Sequence, residues 1–334
     1  MEPGPLPAVA MPEFALSQGE PLSAALRRIS LDQFGMALGL LSSPDTHRDV
    51  AVHETRKAAK RVRALLRMVR PAIGERVYQA ENAVLRDAAR EIAGVRDGAV
   101  MLDAVRRLRS RYGHLLAPGV FGELEDRLVV RHRRMSSRVL EDDEVLQRLV
   151  GVLYRARSRY AAWPIEFDVP TAPEQSALAR LGAKPITHSY RTIGPGITMT
   201  YRQGQRQMRE AQAHPSAESF HAWRKRVKYL RHQMEIITPV WPEVLGGLAT
   251  SLEHLGDVLG DEHDQAQLIS LVASLPDMVA DPDERHLLVA LSQQRRRELQ
   301  GAALVMGRRI YAESPERFAG RLGAYWAAWS LEGG

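Results

Sequence analysis

Apolar positions recur at intervals of three and four along almost every long stretch of this chain, the spacing of a helix with one buried face. The pattern predicts helices over Leu22–Leu41, His53–Arg70, Arg76–Val95, Gly98–Tyr112, Glu123–Leu140 and Val145–Ala162. Pro71 is read as the stop of the second, because proline lacks the N–H that a helix interior needs. Helical spacing resumes over Met199–Gln212, Ala217–Ile237, Leu245–Leu259, Gln265–Leu275, Asp283–Arg309 with a break near Gly301 or Gly307, and Pro315–Leu331. The alternation of a strand shows only briefly, at Ile165–Val169 and around Ile197. Between Trp163 and Pro195, prolines at 164, 170, 173 and 185 mark a connection, with room for a short helix over Glu174–Leu181. The fold class expected is therefore all-α. The expected organisation is a disordered leader over 1–20, a helical unit over 21–162, a Pro/Gly-rich connection over 163–195 and a second helical unit over 196–331.

The second unit echoes the first, and a recurring segment is the signature of duplication. His53-Glu-Thr-Arg56-Lys57-Ala-Ala-Lys60-Arg-Val-Arg63 aligns with His221-Ala-Trp-Arg224-Lys225-Arg-Val-Lys228-Tyr-Leu-Arg231, with five of eleven positions identical. Further on, Gly94-Val-Arg96-Asp97 falls opposite Asp261-Glu-His263-Asp264. On a helical wheel His53, Arg56, Lys57, Lys60, Arg63 and Arg67 fall within about 120° of one another. Thr55, Ala59, Val62, Leu66 and Val69 fall opposite. His221, Arg224, Lys225, Lys228, Arg231 and His232 share a face in the same way, with Trp223, Val227, Leu230, Met234 and Ile237 turned away.

These faces carry almost one sign of charge. Glu54 lies to the side of the first, and Glu235 is the first acid of the second. Like charges one turn apart repel, so such a face is unfavourable without a counter-anion. Composition sharpens the point. Of 46 basic residues only five are lysine, and four of those, Lys57, Lys60, Lys225 and Lys228, occupy equivalent places in the two matched segments. The net charge of +6 over 334 residues favours acidic partners without identifying one. The leading histidine of each face adds a group that gains charge in mild acid. The absence of cysteine excludes disulfides and cysteine-held zinc and fits a cytoplasmic chain. No apolar run approaches the roughly twenty residues of a membrane span, and the proline-rich first twenty residues lack the pattern of a signal peptide.

The motif His-x-x-Arg-Lys-x-x-Lys-x-x-Arg, twice in a helical chain of this length, resembles the CHAD (conserved histidine α-helical domain) family. Arg96-Asp97 and His263-Asp264 resemble its short motif after the next helix, and Arg309-Ile-Tyr311 with Tyr325-Trp326 resembles its C-terminal end. The resemblance spans Leu22 to Trp329. It implies two helical bundles related by approximate twofold symmetry about a basic cavity, and non-catalytic binding of inorganic polyphosphate, with localisation to polyphosphate granules. Carried over residue by residue, the ligands would be His53, Arg56, Lys57, Lys60, Arg63, His221, Arg224, Lys225, Lys228 and Arg231. Arg131, Arg138, Arg202, Arg206 and Arg309 are secondary candidates from neighbouring helices. Asp97 and Asp264 are expected to orient a cation or cap a helix. No cofactor or metal is expected. Two other readings stay open. His263-Asp264 suggests a metal-dependent phosphohydrolase, yet His254 lies nine residues before it, His286 lies well downstream, and no H-E-x-x-H motif or carboxylate cluster appears. A basic face also suits nucleic acid, yet aromatic residues are only 6% of the chain and no duplex-reading module is recognisable.

Overall fold

The computed structural model describes residues 13–92, 94–116, 119–140, 142–163 and 187–332, leaving aside the side chains of 94–99, 115, 134–140, 276 and 332. Among these residues the chain forms eleven α-helices and no strand. The first half supplies α1 (Leu22–Ser42), α2 (Arg48–Ile73), α3 (Glu75–Glu91), α4 (Gly94–Tyr112), α5 (Gly122–Leu140) and α6 (Asp143–Ala161). The second supplies α7 (Tyr190–Ala213), α8 (Ala217–Ile237), α9 (Gly247–Ser274), α10 (Pro282–Ile310) and α11 (Pro315–Glu332). The strand-like stretch at Ile165–Val169 and the short helix over Glu174–Leu181 lie outside the described residues.

Neighbour relations recur from one half to the other. Helix α1 packs on α2 and α6, as α7 packs on α8 and α11; α2 packs on α3 as α8 does on α9, and α4 on α5 as α9 does on α10. The halves do not separate into a core each. The larger core unites Leu65, Val62 and Leu66 of α2 with Ile193 and Ile197 of α7 and Val227 and Leu230 of α8. The smaller joins Val105 and Leu108 of α4 and Leu128 of α5 to Leu268 and Val272 of α9 and Leu288 of α10. Two buried glutamines brace the cross-half contacts. The Gln233 amide on α8 donates to the Ala64 carbonyl on α2 at 3.2 Å, and Gln265 on α9 donates to the Ala104 carbonyl on α4 at 3.1 Å. Each satisfies a buried polar group that would otherwise cost stability, so each also fixes how two helices sit together.

Several boundaries differ from the sequence reading, each for a physical reason. Helix α2 runs through Pro71 and ends at Gly74, whose φ of 86° suits a glycine. Only the last turn follows the proline, so a single N–H bond, to the Arg67 carbonyl, is forgone. Helix α7 starts at Tyr190, inside the expected connection, and contains Pro195. Ser189 caps it by accepting from the Arg191 N–H at 3.2 Å. Ile193, Ile197 and Tyr201 form a fully buried row at helical spacing, so the stretch around Ile197 is helix, not strand. Burial of this row against α2 outweighs the local break.

The two segments 245–259 and 265–275 merge into the single 28-residue α9, with Gly256 and Gly260 on its packed side. Helix α10 continues through Gly301 and Gly307; a Cβ at 307 would meet the Trp223 ring at 2.5 Å. Finally, residues 13–20 of the expected leader are packed. Phe14 and Leu16 are buried, the Leu16 N–H donates to the Ile236 carbonyl at 2.9 Å, and Arg28 holds the Ala15 carbonyl at 3.0 Å and Glu20 at 2.8 Å.

Candidate functional site

The two matched basic helices lie close together in this packing. Their apolar sides are buried in the larger core: Val62, Leu66 and Val69 on α2, and Trp223, Val227, Leu230 and Met234 on α8. That burial aims parts of both basic faces into one cleft of about 570 Å³. Arg56, Lys60 and Arg63 of α2 line one side, and His221, Arg224, Lys225 and Lys228 of α8 line the other. Helix α9 contributes a third side with Gly256, Gly260, Asp257, Asp261, His263 and Asp264, and α4 adds Arg107. The Cβ-free backbone at Gly260 lets the Arg224 guanidinium lie close, since a Cβ there would stand 3.4 Å from its nearest nitrogen. Seven cationic side chains thus face one volume that also holds three carboxylates.

Several cations are held in place from behind. The Arg56 guanidinium donates to the Ile92 carbonyl at the end of α3 at 2.9 Å. Arg63 donates to the Asn82 side-chain oxygen at 3.0 Å, and Arg67 donates to the same atom at 3.2 Å. Arg67 then lies 3.8 Å from the centre of the Tyr229 ring, and burial lowers its pKa from the ordinary arginine value. Tyr229 itself lines the cleft. Arg107 reaches from α4 to Asp264 at 3.1 Å and Asp261 at 3.6 Å on α9. Asp264 therefore orients a cation, as its sequence position suggests. The Asp97 side chain lies outside the described residues.

His263 is the unexpected member. Its ring lies 4.3 Å, centre to centre, from that of His221, at an interplanar angle of 30°. Each ring has a buried Nδ1 that finds no hydrogen-bond partner among the described residues. Burial, then the charges of Lys225, Arg224 and Lys228, lower the His221 pKa. Burial, then the neighbouring His221 and the charges of Arg224, Lys228 and Lys225, bring the His263 pKa down to about 4. At neutral pH both rings are uncharged among fixed cations. His232, further along α8, is buried against Glu235, its Nδ1 2.8 Å from the carboxylate. Burial opposes the charge on Glu235, but hydrogen bonds from His232 and Arg231 outweigh it and hold this carboxyl at about 2.

The sequence-predicted residues divide. Arg56, Lys60, Arg63, His221, Arg224, Lys225 and Lys228 line the cleft. His53, Lys57 and Arg231 do not line it. Lys57 and His53 stand beside Glu54, at 3.4 and 3.9 Å. Arg231 is held by Glu235 and by Glu253 of α9, each at 2.7 Å. Of the secondary candidates, Arg131, Arg202, Arg206 and Arg309 are not part of the lining, and Arg202 pairs with Glu316 at 2.9 Å. The side chain of Arg138 lies outside the described residues. Sequence reasoning missed Arg107, Asn82 and Tyr229 as parts of the site. For His263 a signal existed, because it aligns with Arg96 in the repeat.

Among the described residues, no group of three or more His, Asp or Glu side chains is arranged to hold a metal ion, and no helix is long and apolar enough to cross a membrane. Compared with known proteins, residues 40–273 match the family model of the CHAD domain. No curated protein matches the chain by sequence. Among solved structures, PptA from Streptomyces chartreusis superposes with a TM-score of 0.59 at 17% identity, covering 89% of this chain and all of that one. The CHAD domain from the plant Ricinus communis superposes with a TM-score of 0.51 at 14% identity, covering 88% of this chain and 95% of the other. At such identities the two structures establish a shared fold.

Proposed function

The chain belongs to the CHAD domain family, and from that premise we propose that its cleft binds inorganic polyphosphate without catalysing its turnover. The observation that carries the reading is the convergence of Arg56, Lys60 and Arg63 with Arg224, Lys225 and Lys228 on one volume. Family resemblance adds the chemical identity of the anion and an association with polyphosphate granules. The two halves then act as approximately twofold-related walls of a basic cavity, though with unequal contributions.

The chemistry is electrostatic. Each lysine or arginine that neutralises a phosphate releases condensed counterions, so affinity falls steeply with salt. Arginines held by Asn82 and the Ile92 carbonyl present their charge without first being ordered. Lysines 60, 225 and 228 add compact point charges on long stems. A chain of phosphates engages several of these groups at once, and neighbouring contacts raise one another's effective concentration.

The phosphohydrolase reading gains nothing from the geometry, because His263 stacks on His221 and Asp264 is engaged by Arg107. A nucleic-acid reading would use the same charges. Tyr229 is the aromatic residue that lines the cleft, and Arg67 occupies a position over its ring.

Lysine footprinting tests the assignment. Acylation of surface amines read by mass spectrometry should show Lys60, Lys225 and Lys228 protected when long-chain polyphosphate is present. Lys57, outside the lining, should keep its reactivity. Equal protection of Lys57, or no protection of the other three, contradicts binding in the cleft.

A further inference from the structure

We infer that the stacked His221–His263 pair is a proton-coupled anion site, so that the cleft takes up one proton as a phosphate oxygen seats against it. The inference rests on the polyphosphate reading and adds to it a ligand residue, His263, and a stoichiometry. A neutral imidazole has one N–H and one lone pair, and the lone pair repels a phosphate oxygen. Protonation turns both ring nitrogens into donors. Among the described residues the two buried Nδ1 atoms have no hydrogen-bond partner, and the cleft beside them is lined by cations.

The groups that face the pair fix its charge state. On α8, Arg224, Lys225 and Lys228 surround His221. On α9, Asp261 and Asp264 lie beside His263 in the lining, both within reach of Arg107 from α4. Across the cleft stand Arg56, Lys60 and Arg63 of α2. Behind, the buried Glu262 of α9 is matched by Arg296 of α10 at 2.7 Å. The cations nearest the rings disfavour a further positive charge, and a polyanion placed among them removes that penalty. Two imidazolium rings 4.3 Å apart would repel each other, so the pair accepts one proton rather than two.

The sign follows from linkage. In the free protein both rings titrate below the ordinary histidine value: burial and the charges of Lys225, Arg224 and Lys228 lower His221, and burial with the charge of His221 lowers His263 further, to about 4. With polyanion bound, the shared site regains a pKa nearer the ordinary histidine range. Between the pair's lowered free-state range and its bound-state pKa, binding draws a proton from solution, and affinity rises as pH falls through the bound-state pKa. Above that range the coupling vanishes.

Calorimetry with long-chain polyphosphate, in pairs of buffers that differ in ionisation enthalpy, counts the proton directly. Wild type should take up as much as about one proton per site near pH 6 and almost none near pH 8, and bind about fourfold more tightly at the lower pH. His221→Gln and His263→Gln together should abolish most of the uptake and flatten the pH dependence while still binding near pH 8. His263→Arg, permanently charged, should bind tightly at both pH values without uptake. His53→Gln, outside the cleft lining, should behave as wild type. Circular dichroism of each variant establishes that it is folded. Unchanged uptake in the double variant, or none in wild type, overturns the inference while leaving polyphosphate binding intact. Failure of the wild type to bind polyphosphate at either pH overturns the functional reading and the inference together.

Discussion

Replacing Lys60, Lys225 and Lys228 together with glutamate is expected to weaken binding of long-chain polyphosphate about a hundredfold or more at moderate salt. All three line the cleft, and they sit among cations that already repel one another. Reversal removes three attractive contacts and adds three repulsive ones at the place where the polymer lies. Because each phosphate contact contributes about 0.7–0.9 to the slope of log affinity against log salt, losing three should flatten that slope by roughly two units or more. The helices should remain folded, since the replaced side chains lie on the polar faces of α2 and α8, away from the buried apolar rows. Lys57→Glu is the matched control. It stands next to Glu54, outside the lining, and should change affinity by no more than about twofold. An equal loss from Lys57→Glu would mean that the protein responds to its total charge and not to the cleft.

The largest effect on stability is expected at Gly196. Helix α7 crosses α2 so closely there that an added Cβ would overlap the Met68 carbonyl oxygen and lie within 2.7 Å of the Arg67 carbonyl. Both obstacles are backbone, so no side-chain rotation relieves them. Gly196→Ala should therefore destabilise the fold by about 3 kcal/mol or more. In a thermal melt this should lower the midpoint by about 5 °C or more. Gly39→Ala on α1 is the contrast. It is an exposed helical glycine with nothing near its missing Cβ, and the same substitution should be neutral or stabilise by up to about 1 kcal/mol. The Gly196 contact also bears on the cleft, because α2 carries Arg56, Lys60 and Arg63 and is seated on α7 at that crossing.

The basic faces were legible in the sequence because helical periodicity is a local property. The spacing of Arg56, Lys60 and Arg63 places them on one side whatever the helix packs against, and Val62, Leu66 and Val69 specify the buried side. The same holds for α8, whose expected limits agree with those observed. What periodicity cannot supply is the docking of one helix on another. Arg107 reaches the cleft because α4 packs on α9, and His263 because α9 packs on α8. Arg231 shares the face of Lys228, yet Glu253 of a different helix engages it. A wheel drawn for one helix has no means of showing that acid.

Proline misled for a related reason. Pro71 and Pro195 are local break signals, and both lie within helices that bury rows of large apolar side chains. Across such lengths, tertiary burial outweighs the local cost of a proline. Phe14 and Leu16 were hidden by the proline-rich residues before them, although two apolar side chains close to the first helix had somewhere to pack.

The most direct test of the central claim is a titration of the purified protein with long-chain polyphosphate at two salt concentrations, with duplex and single-stranded DNA as competitors. A cleft built for polyphosphate binds it tightly at low salt, weakens steeply as salt rises, and keeps it against DNA at moderate salt. Equal competition by DNA would reduce the two faces to a general polyanion surface. Absence of polyphosphate binding at both salt concentrations would contradict the assignment altogether.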